Sequence, residues 1–219
     1  MKTLKDGKRR TTSSRRWLER QLSDPFVAEA KRQGYRSRAA LKLVEMEAKA
    51  KLLRPGRRVV DLGAAPGGWT QVAVERVKPA AGKGAVVAID ITPMAAIGDA
   101  VVLELDAFAP DAPQRIQAAL GGPADVLLSD MAPPATGHGS TDHLRSMALA
   151  DAALALADDL LRPGGGFLVK ILQGGGEVEY ERLMRRKFDV ARRLKPASSR
   201  ADSREIYVLG TGFRGPGTG

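Results

Sequence analysis

The chain has no cysteine among its 219 residues, which excludes disulfides, thiolate metal sites and a thiol nucleophile together. Histidine occurs twice, and aromatic side chains make up 5 %, too few for a broad platform on which bases could stack. No apolar run reaches the ~18–20 residues that cross a bilayer. Met1-Lys2-Thr3-Leu4-Lys5 leads into polar and basic residues, without the apolar core of a secretory signal. What remains is a globular mixture, 43 % hydrophobic and 27 % charged, long enough for one domain. A soluble, cytoplasmic protein with no membrane contact is expected.

Net charge is +10, and its position says more than its size. Residues 1–58 hold 18 of the 35 basic residues and 6 acidic ones, so the positive excess lies in the first quarter of the chain. A second basic cluster runs from Arg182 to Arg204, beyond an acidic, Ala- and Gly-rich middle. Two basic clusters on one small domain favour a nucleic acid, recognised through backbone and shape. Arg36, Arg38 and the Arg182–Arg204 cluster are expected to grip phosphates. Trp17 is expected to pack on the leader.

Residues 1–20 read as a basic, flexible arm, 21–212 as a single domain opened by basic leader helices (21–55), and 213–219 as a flexible tail. Ser23 or Asp24 caps a helix with Pro25 at its first position, and Gly34 splits it. Apolar strands at 58–62, 85–90, 101–105, 125–130, 166–172, 190–194 and 206–210 alternate with helices at 69–77, 114–120, 143–161 and 177–187. This is an α/β sheet with helices on both faces. No helix fits between the last two strands, which predicts an antiparallel pair.

Asp61-Leu62-Gly63-Ala64-Ala65-Pro66-Gly67-Gly68-Trp69 sits where the first strand gives way to a helix. Glycines there let the backbone lie against a ligand, and the helix start presents free N–H groups. Asp90, ending the second strand, suits two ribose hydroxyls. Asp106, after the third, can accept an adenine amino hydrogen, with Phe108 flanking the ring. The spacing is neither G-x-G-x-x-G nor a Walker loop, which counts against NAD and ATP. An adenosine without pyrophosphate fits, and S-adenosylmethionine is the usual one.

Two more strand ends carry charge. Lys170 lies inside the apolar run Phe167-Leu168-Val169-Lys170-Ile171-Leu172. A buried, unpaired ammonium costs several kcal/mol, so Lys170 needs a partner. Asp130, ending the neighbouring strand before Met131-Ala132-Pro133-Pro134, is in position to serve. Glu205 opens the last strand and Lys42 sits in the leader. His138 and His143 flank Gly139 without cysteine nearby, which argues for a mobile substrate-facing loop and against a metal site.

Asp61 to Gln71, Ser129-Asp130-Met131-Ala132-Pro133, Val169-Lys170 and Ser203-Arg204-Glu205 together resemble the FtsJ/RrmJ (RlmE) family of 23S rRNA ribose 2′-O-methyltransferases. The likeness runs from about Arg16 to Gly212 and departs from the family near Pro79–Gly84 and after Gly212. It implies a Rossmann-like methyltransferase fold, a seven-stranded, mostly parallel sheet whose last strand is antiparallel. It places a Lys-Asp-Lys-Glu tetrad on Lys42, Asp130, Lys170 and Glu205, and S-adenosylmethionine on Gly67, Trp69, Asp90, Asp106 and Asp130. The implied substrate is a uridine of the A-loop of 23S rRNA, in the large ribosomal subunit, with the enzyme a monomer. A 2′-hydroxyl must be aligned with the methyl donor and lose a proton. Lys170 is either the base, if neutral, or a cation that stabilises the alkoxide; no step needs a metal. Two other readings are a tRNA anticodon-loop methyltransferase and a non-catalytic rRNA-binding assembly factor.

Overall fold

The computed structural model describes residues 24–79, 84–200 and 202–217. The basic arm and Trp17 lie outside the described residues. Along the described chain the elements are α1 (Pro25–Arg32), α2 (Ala39–Ala50), β1 (Arg58–Leu62), α3 (Gly68–Val77), β2 (Ala85–Asp90), β3 (Val101–Glu104), α4 (Ala112–Leu120), β4 (Ala124–Ser129), α5 (Gly139–Leu160), β5 (Leu161–Leu172), α6 (Glu177–Lys187), β6 (Phe188–Leu194) and β7 (Glu205–Phe213). Among these residues no helix is long and apolar enough to cross a membrane.

The seven strands form one sheet in the order β3-β2-β1-β4-β5-β7-β6. Strands β1 to β5 are mutually parallel, and β7 runs antiparallel between β5 and β6. The central strands are apolar on both faces because both are covered. Val59, Val126, Leu168 and Tyr207 face α2 and α3, while Val60, Leu127, Val169 and Val208 face α4, α5 and α6. The parallel strands all end at one edge of the sheet. β7 starts at that same edge, with Glu205 opposite Leu172 and Tyr207 opposite Lys170. One antiparallel strand thus returns the chain to the edge where the charged strand ends gather.

Three local readings of the sequence are corrected. Helix α5 begins at Gly139, not His143; Asp142 in its first turn accepts from the Thr136 N–H (2.8 Å) and hydroxyl (2.7 Å), fixing a stretch expected to be mobile. Strand β5 starts at Leu161, its Pro-Gly-Gly-Gly run absorbed by a shift in register between Ala124 and Val126. Phe213, assigned to the tail, ends β7 and is buried against Phe188, with ring centroids 5.3 Å apart; an aromatic ring of this size stays in the core.

Candidate active site

Alternation along β5 puts Lys170 on the face of Leu168, toward α2. There it is 7 % exposed. Its Nζ donates to the Asp130 carboxylate at 3.0 Å and to the Asp130 carbonyl oxygen at 2.6 Å. Lys42, 6 % exposed on α2, donates to Glu205 at 2.5 Å. Two pairs, each of a buried lysine and a half-buried carboxylate, therefore face one another from α2, the end of β4, β5 and β7, and all four expected catalytic residues come together. Burial pushes the Glu205 carboxyl up, but Lys42 and Lys170 outweigh it and hold it below the usual carboxylate range.

Tyr207 is the residue that sequence reasoning missed. It is fully buried, its hydroxyl donates to Asp130 at 3.3 Å, and the Lys42 ammonium lies 6.0 Å from its ring centroid. Burial and the carboxylates of Asp130 and Glu205 push its hydroxyl well above the ordinary tyrosine range, so it stays a donor. Period-two alternation from Glu205 was the signal that could have found it.

Brackets from the rest of the chain preset the tetrad. Glu45 of α2 accepts from Ala197 N–H (2.6 Å) and Ser198 N–H (3.0 Å). Lys195 donates to the carbonyls of Ser203 (2.5 Å) and Glu205 (2.8 Å). Asp24 caps α1 through the Phe26 N–H and pairs with both Arg38 and Arg200. Burial, then repulsion from Arg200, lowers the Arg38 guanidinium below its ordinary range.

The cofactor side occupies the neighbouring strand ends. Gly67, at φ 109°, caps α3, and any side chain there would run into Ile97 and Arg36. The N–H groups of Gly68 and Trp69, in the first turn, have no helical carbonyl to meet. Asp90 accepts from Ala65 N–H (2.9 Å) and Thr92 N–H (2.8 Å), and lines a cavity of about 360 Å³ with Met94, Val102 and Glu104. Asp106 is exposed, with one oxygen accepting from Phe108 N–H at 3.0 Å. The Trp69 indole is 2 % exposed, donates to the Ala39 carbonyl at 2.8 Å and packs 5.7 Å from the Tyr207 ring. It is a wall between α2 and β7, so Trp69 offers a ligand only its backbone.

Asp61 lies beneath this turn, fully buried, accepting from the Thr70 hydroxyl at 2.7 Å. Its other oxygen has no hydrogen-bond partner among the described residues. Burial raises its carboxyl to about 7, the Thr70 bonds oppose this, and Asp130 and Asp90 add to it. Carboxylates of Asp61, Asp90 and Asp130 gather at the cofactor end of the site, and a cationic nucleoside ligand such as S-adenosylmethionine fits it.

Several expected contacts fall elsewhere. His143 is buried in α5, its Nδ1 2.7 Å from the Leu172 carbonyl oxygen, so it braces the end of β5 and faces no substrate. Arg36 and Arg38 both have intramolecular partners. Of the Arg182–Arg204 cluster, Arg182, Arg185 and Arg193 pair with Glu179 and Glu181. Helix α6 carries Arg185–Lys187 to the opposite edge of the sheet, about 16 Å along its axis from its start. Lys195, Arg200 and Arg204 lie at the site's edge, and they too have intramolecular partners: the carbonyls of Ser203 and Glu205, the Asp24 carboxylate, and the carbonyls of Gly139 and Gln173.

Comparison with known proteins agrees with this geometry. The family described as FtsJ-like methyltransferase matches residues 35–213. Ribosomal RNA large subunit methyltransferase E of Xanthobacter autotrophicus is 54 % identical over 97 % of this chain and 84 % of its own length. The protein of the same name from Afipia carboxidovorans is 51 % identical, over 97 % and 95 %. A Plasmodium falciparum structure named as a ribosomal RNA methyltransferase superposes with a TM-score of 0.74 at 28 % identity, covering 83 % of this chain and all of that one. Sheet order, paired lysines and sequence all lead to one conclusion, that this chain belongs to the FtsJ-like methyltransferase family.

Proposed function

We propose that the chain methylates the 2′-hydroxyl of a uridine in the A-loop of 23S rRNA, with Lys42, Asp130, Lys170 and Glu205 as its catalytic residues. The named relatives are ribosomal RNA large subunit methyltransferases, within a family described as FtsJ-like methyltransferase. The observation that carries the catalytic assignment is the double grip of Asp130 on Lys170. A lysine ammonium has three N–H bonds. Two are taken by Asp130, and the third is left for the attacking oxygen.

S-adenosylmethionine, when bound, supplies an electrophilic methyl group. The chain's part is to place and discharge the hydroxyl. Lys170 holds the 2′-oxygen and meets the negative charge that develops on it as its proton passes to solvent. Asp130, braced by Tyr207, fixes the Lys170 Nζ. Glu205, kept ionised by the two lysines, fixes Lys42 beside the ribose. Asp90 orients the donor's ribose hydroxyls, Asp106 its adenine, and the backbone N–H groups of Gly68 and Trp69 take a carboxylate. Gly67 leaves room for this approach. Lys195, Arg200 and Arg204 form the basic rim that receives RNA phosphates, so affinity falls with salt by about 0.7–0.9 log units per log unit of salt for each phosphate neutralised.

The test uses tritiated S-adenosylmethionine with undermethylated 23S rRNA, large subunits, small subunits and tRNA, followed by alkaline digestion. A 2′-O-methyl group blocks chain cleavage, so label in alkali-resistant dinucleotides from large subunits or 23S rRNA is expected. Mapping the labelled nucleotide then tests the A-loop uridine. Resistant label confined to tRNA would move the substrate, and label in mononucleotides would mean base methylation and overturn the mechanism. A monomeric protein in the cytoplasm is part of the same proposal, checked by its sedimentation with and without rRNA.

A further inference from the structure

The mechanism leaves one strong contact unexplained. Arg36 sits in the turn between α1 and α2, at the surface. Its guanidinium does not reach outward. It donates to the carbonyl oxygens of Ala95 (2.8 Å), Ala96 (2.6 Å) and Pro66 (3.3 Å). Pro66 belongs to the cofactor turn, and Ala95 and Ala96 to the β2–β3 loop, which contains no helix. Ile97 of that loop is 6 % exposed and packs directly on Gly67. Both segments are also tied to Asp90, through Ala65 N–H and Thr92 N–H.

The turn bearing Arg36 is independently docked on α3. Arg36 N–H donates to the Gln71 side chain (2.7 Å), whose amide donates back to the Gly34 carbonyl (3.0 Å). The Tyr35 hydroxyl donates to Glu75 at 2.9 Å. Lys42 follows on the next helix. One short leader therefore touches both halves of the site: Lys42 pairs with Glu205 in the tetrad, and Arg36 holds together the two loops that enclose the donor.

We infer that Arg36 is a positioning residue for the methyl donor, and that its fork onto Pro66, Ala95 and Ala96 couples docking of the leader to cofactor affinity. The inference rests on the reading of the site as one for S-adenosylmethionine. A planar fork is required because the acceptors lie on two separate loops; a lysine is a single point donor and spans them poorly. Coupling of this kind is reciprocal, so the ligand that tightens the two loops also fixes the leader that faces RNA.

The experiment is calorimetric binding of S-adenosylhomocysteine, with no turnover, to the full chain and to Arg36→Ala, Arg36→Lys and Tyr35→Phe. The first two variants are expected to weaken binding about tenfold, within the usual range of coupling between sites. Tyr35→Phe, which removes one tie of the same turn but leaves the Arg36 fork on both loops, should weaken binding by no more than about twofold. In the wild type, saturating S-adenosylhomocysteine should also tighten binding of undermethylated 23S rRNA, and in Arg36→Ala it should not. Unchanged S-adenosylhomocysteine affinity in Arg36→Ala, with weaker rRNA binding and a shallower salt slope, would make Arg36 a phosphate contact and overturn the inference. Full affinity in Arg36→Lys would show that charge alone suffices, and equal weakening in Tyr35→Phe would reduce the effect to general loosening; either result overturns it. A wild-type chain that fails to bind S-adenosylhomocysteine would overturn the cofactor reading itself and this inference with it.

Discussion

Replacing Asp61 by asparagine keeps the shape of the side chain and its acceptor for the Thr70 hydroxyl, while removing a titration. In the folded chain this carboxyl is raised from 3.8 to about 7, with burial as the main cause. A carboxyl raised in this way binds more protons folded than unfolded. Its contribution to stability is therefore complete below about pH 3.8 and is lost as pH rises through about 7. Over roughly three pH units, at about 1.4 kcal/mol per unit, the loss amounts to about 4 kcal/mol. Urea unfolding of both proteins at about pH 5, 7 and 8.5 measures it, because titrations remote from Asp61 cancel in the difference. At pH 5 about 1.6 kcal/mol of that loss has already occurred, and set against about 1 kcal/mol for one altered hydrogen bond it leaves the two within about 1 kcal/mol. At pH 8.5 the asparagine variant should be ahead by about 3 kcal/mol, the full loss less that bond. A difference that stays constant from pH 5 to 8.5 would show Asp61 ionised throughout and refute the reasoning.

Three further outcomes follow from the same geometry. Lys170→Ala should remove alkali-resistant label, with a fall in kcat of at least about a thousandfold and S-adenosylhomocysteine affinity within about twofold of wild type; retained turnover would dismiss Lys170 from the chemistry. Gly63→Ala places a methyl group 2.5 Å from Met131 Cγ at φ 71°, and should cost about 2 kcal/mol in urea unfolding through overpacking and backbone strain. Arg185→Ala combined with Arg186→Ala should leave both the affinity for rRNA and its salt slope unchanged, since helix α6 carries them away from the site; a shallower slope in a filter-binding titration would relocate the RNA surface.

The strand ends were legible because their chemistry is local. A lysine inside an apolar run must be paired, and Asp130 on the adjoining strand was the partner within reach; the structure shows that pair. Asp90 and the glycine turn were legible in the same way. What escaped was decided by packing between elements distant in sequence. The indole of Trp69 is consumed by α2 and Tyr207, which spacing along α3 does not reveal. His143 looked like a loop residue beside a glycine, yet the carbonyl that holds it comes from the end of β5. Arg36 and Arg38 counted as free charge until the carbonyls and carboxylate that occupy them were placed beside them. Phe213 read as tail because only β6, folded back beside β7, supplies the ring that buries it.

The place of β7 between β5 and β6 also bears on how the molecule comes into being. Among the described residues strand β6 pairs only with β7, so on emerging from the ribosome it has no neighbour until the strand that follows it is made. Glu205 arrives with that strand, and so does Tyr207, which braces Asp130. Completing the sheet and bringing the four charged residues together are therefore one event, which waits for β7 and depends on sequence-distant pairing, which is slow. A nascent chain halted before β7 exposes the paired edge of β5, lacks Glu205, and leaves Lys42 without its carboxylate.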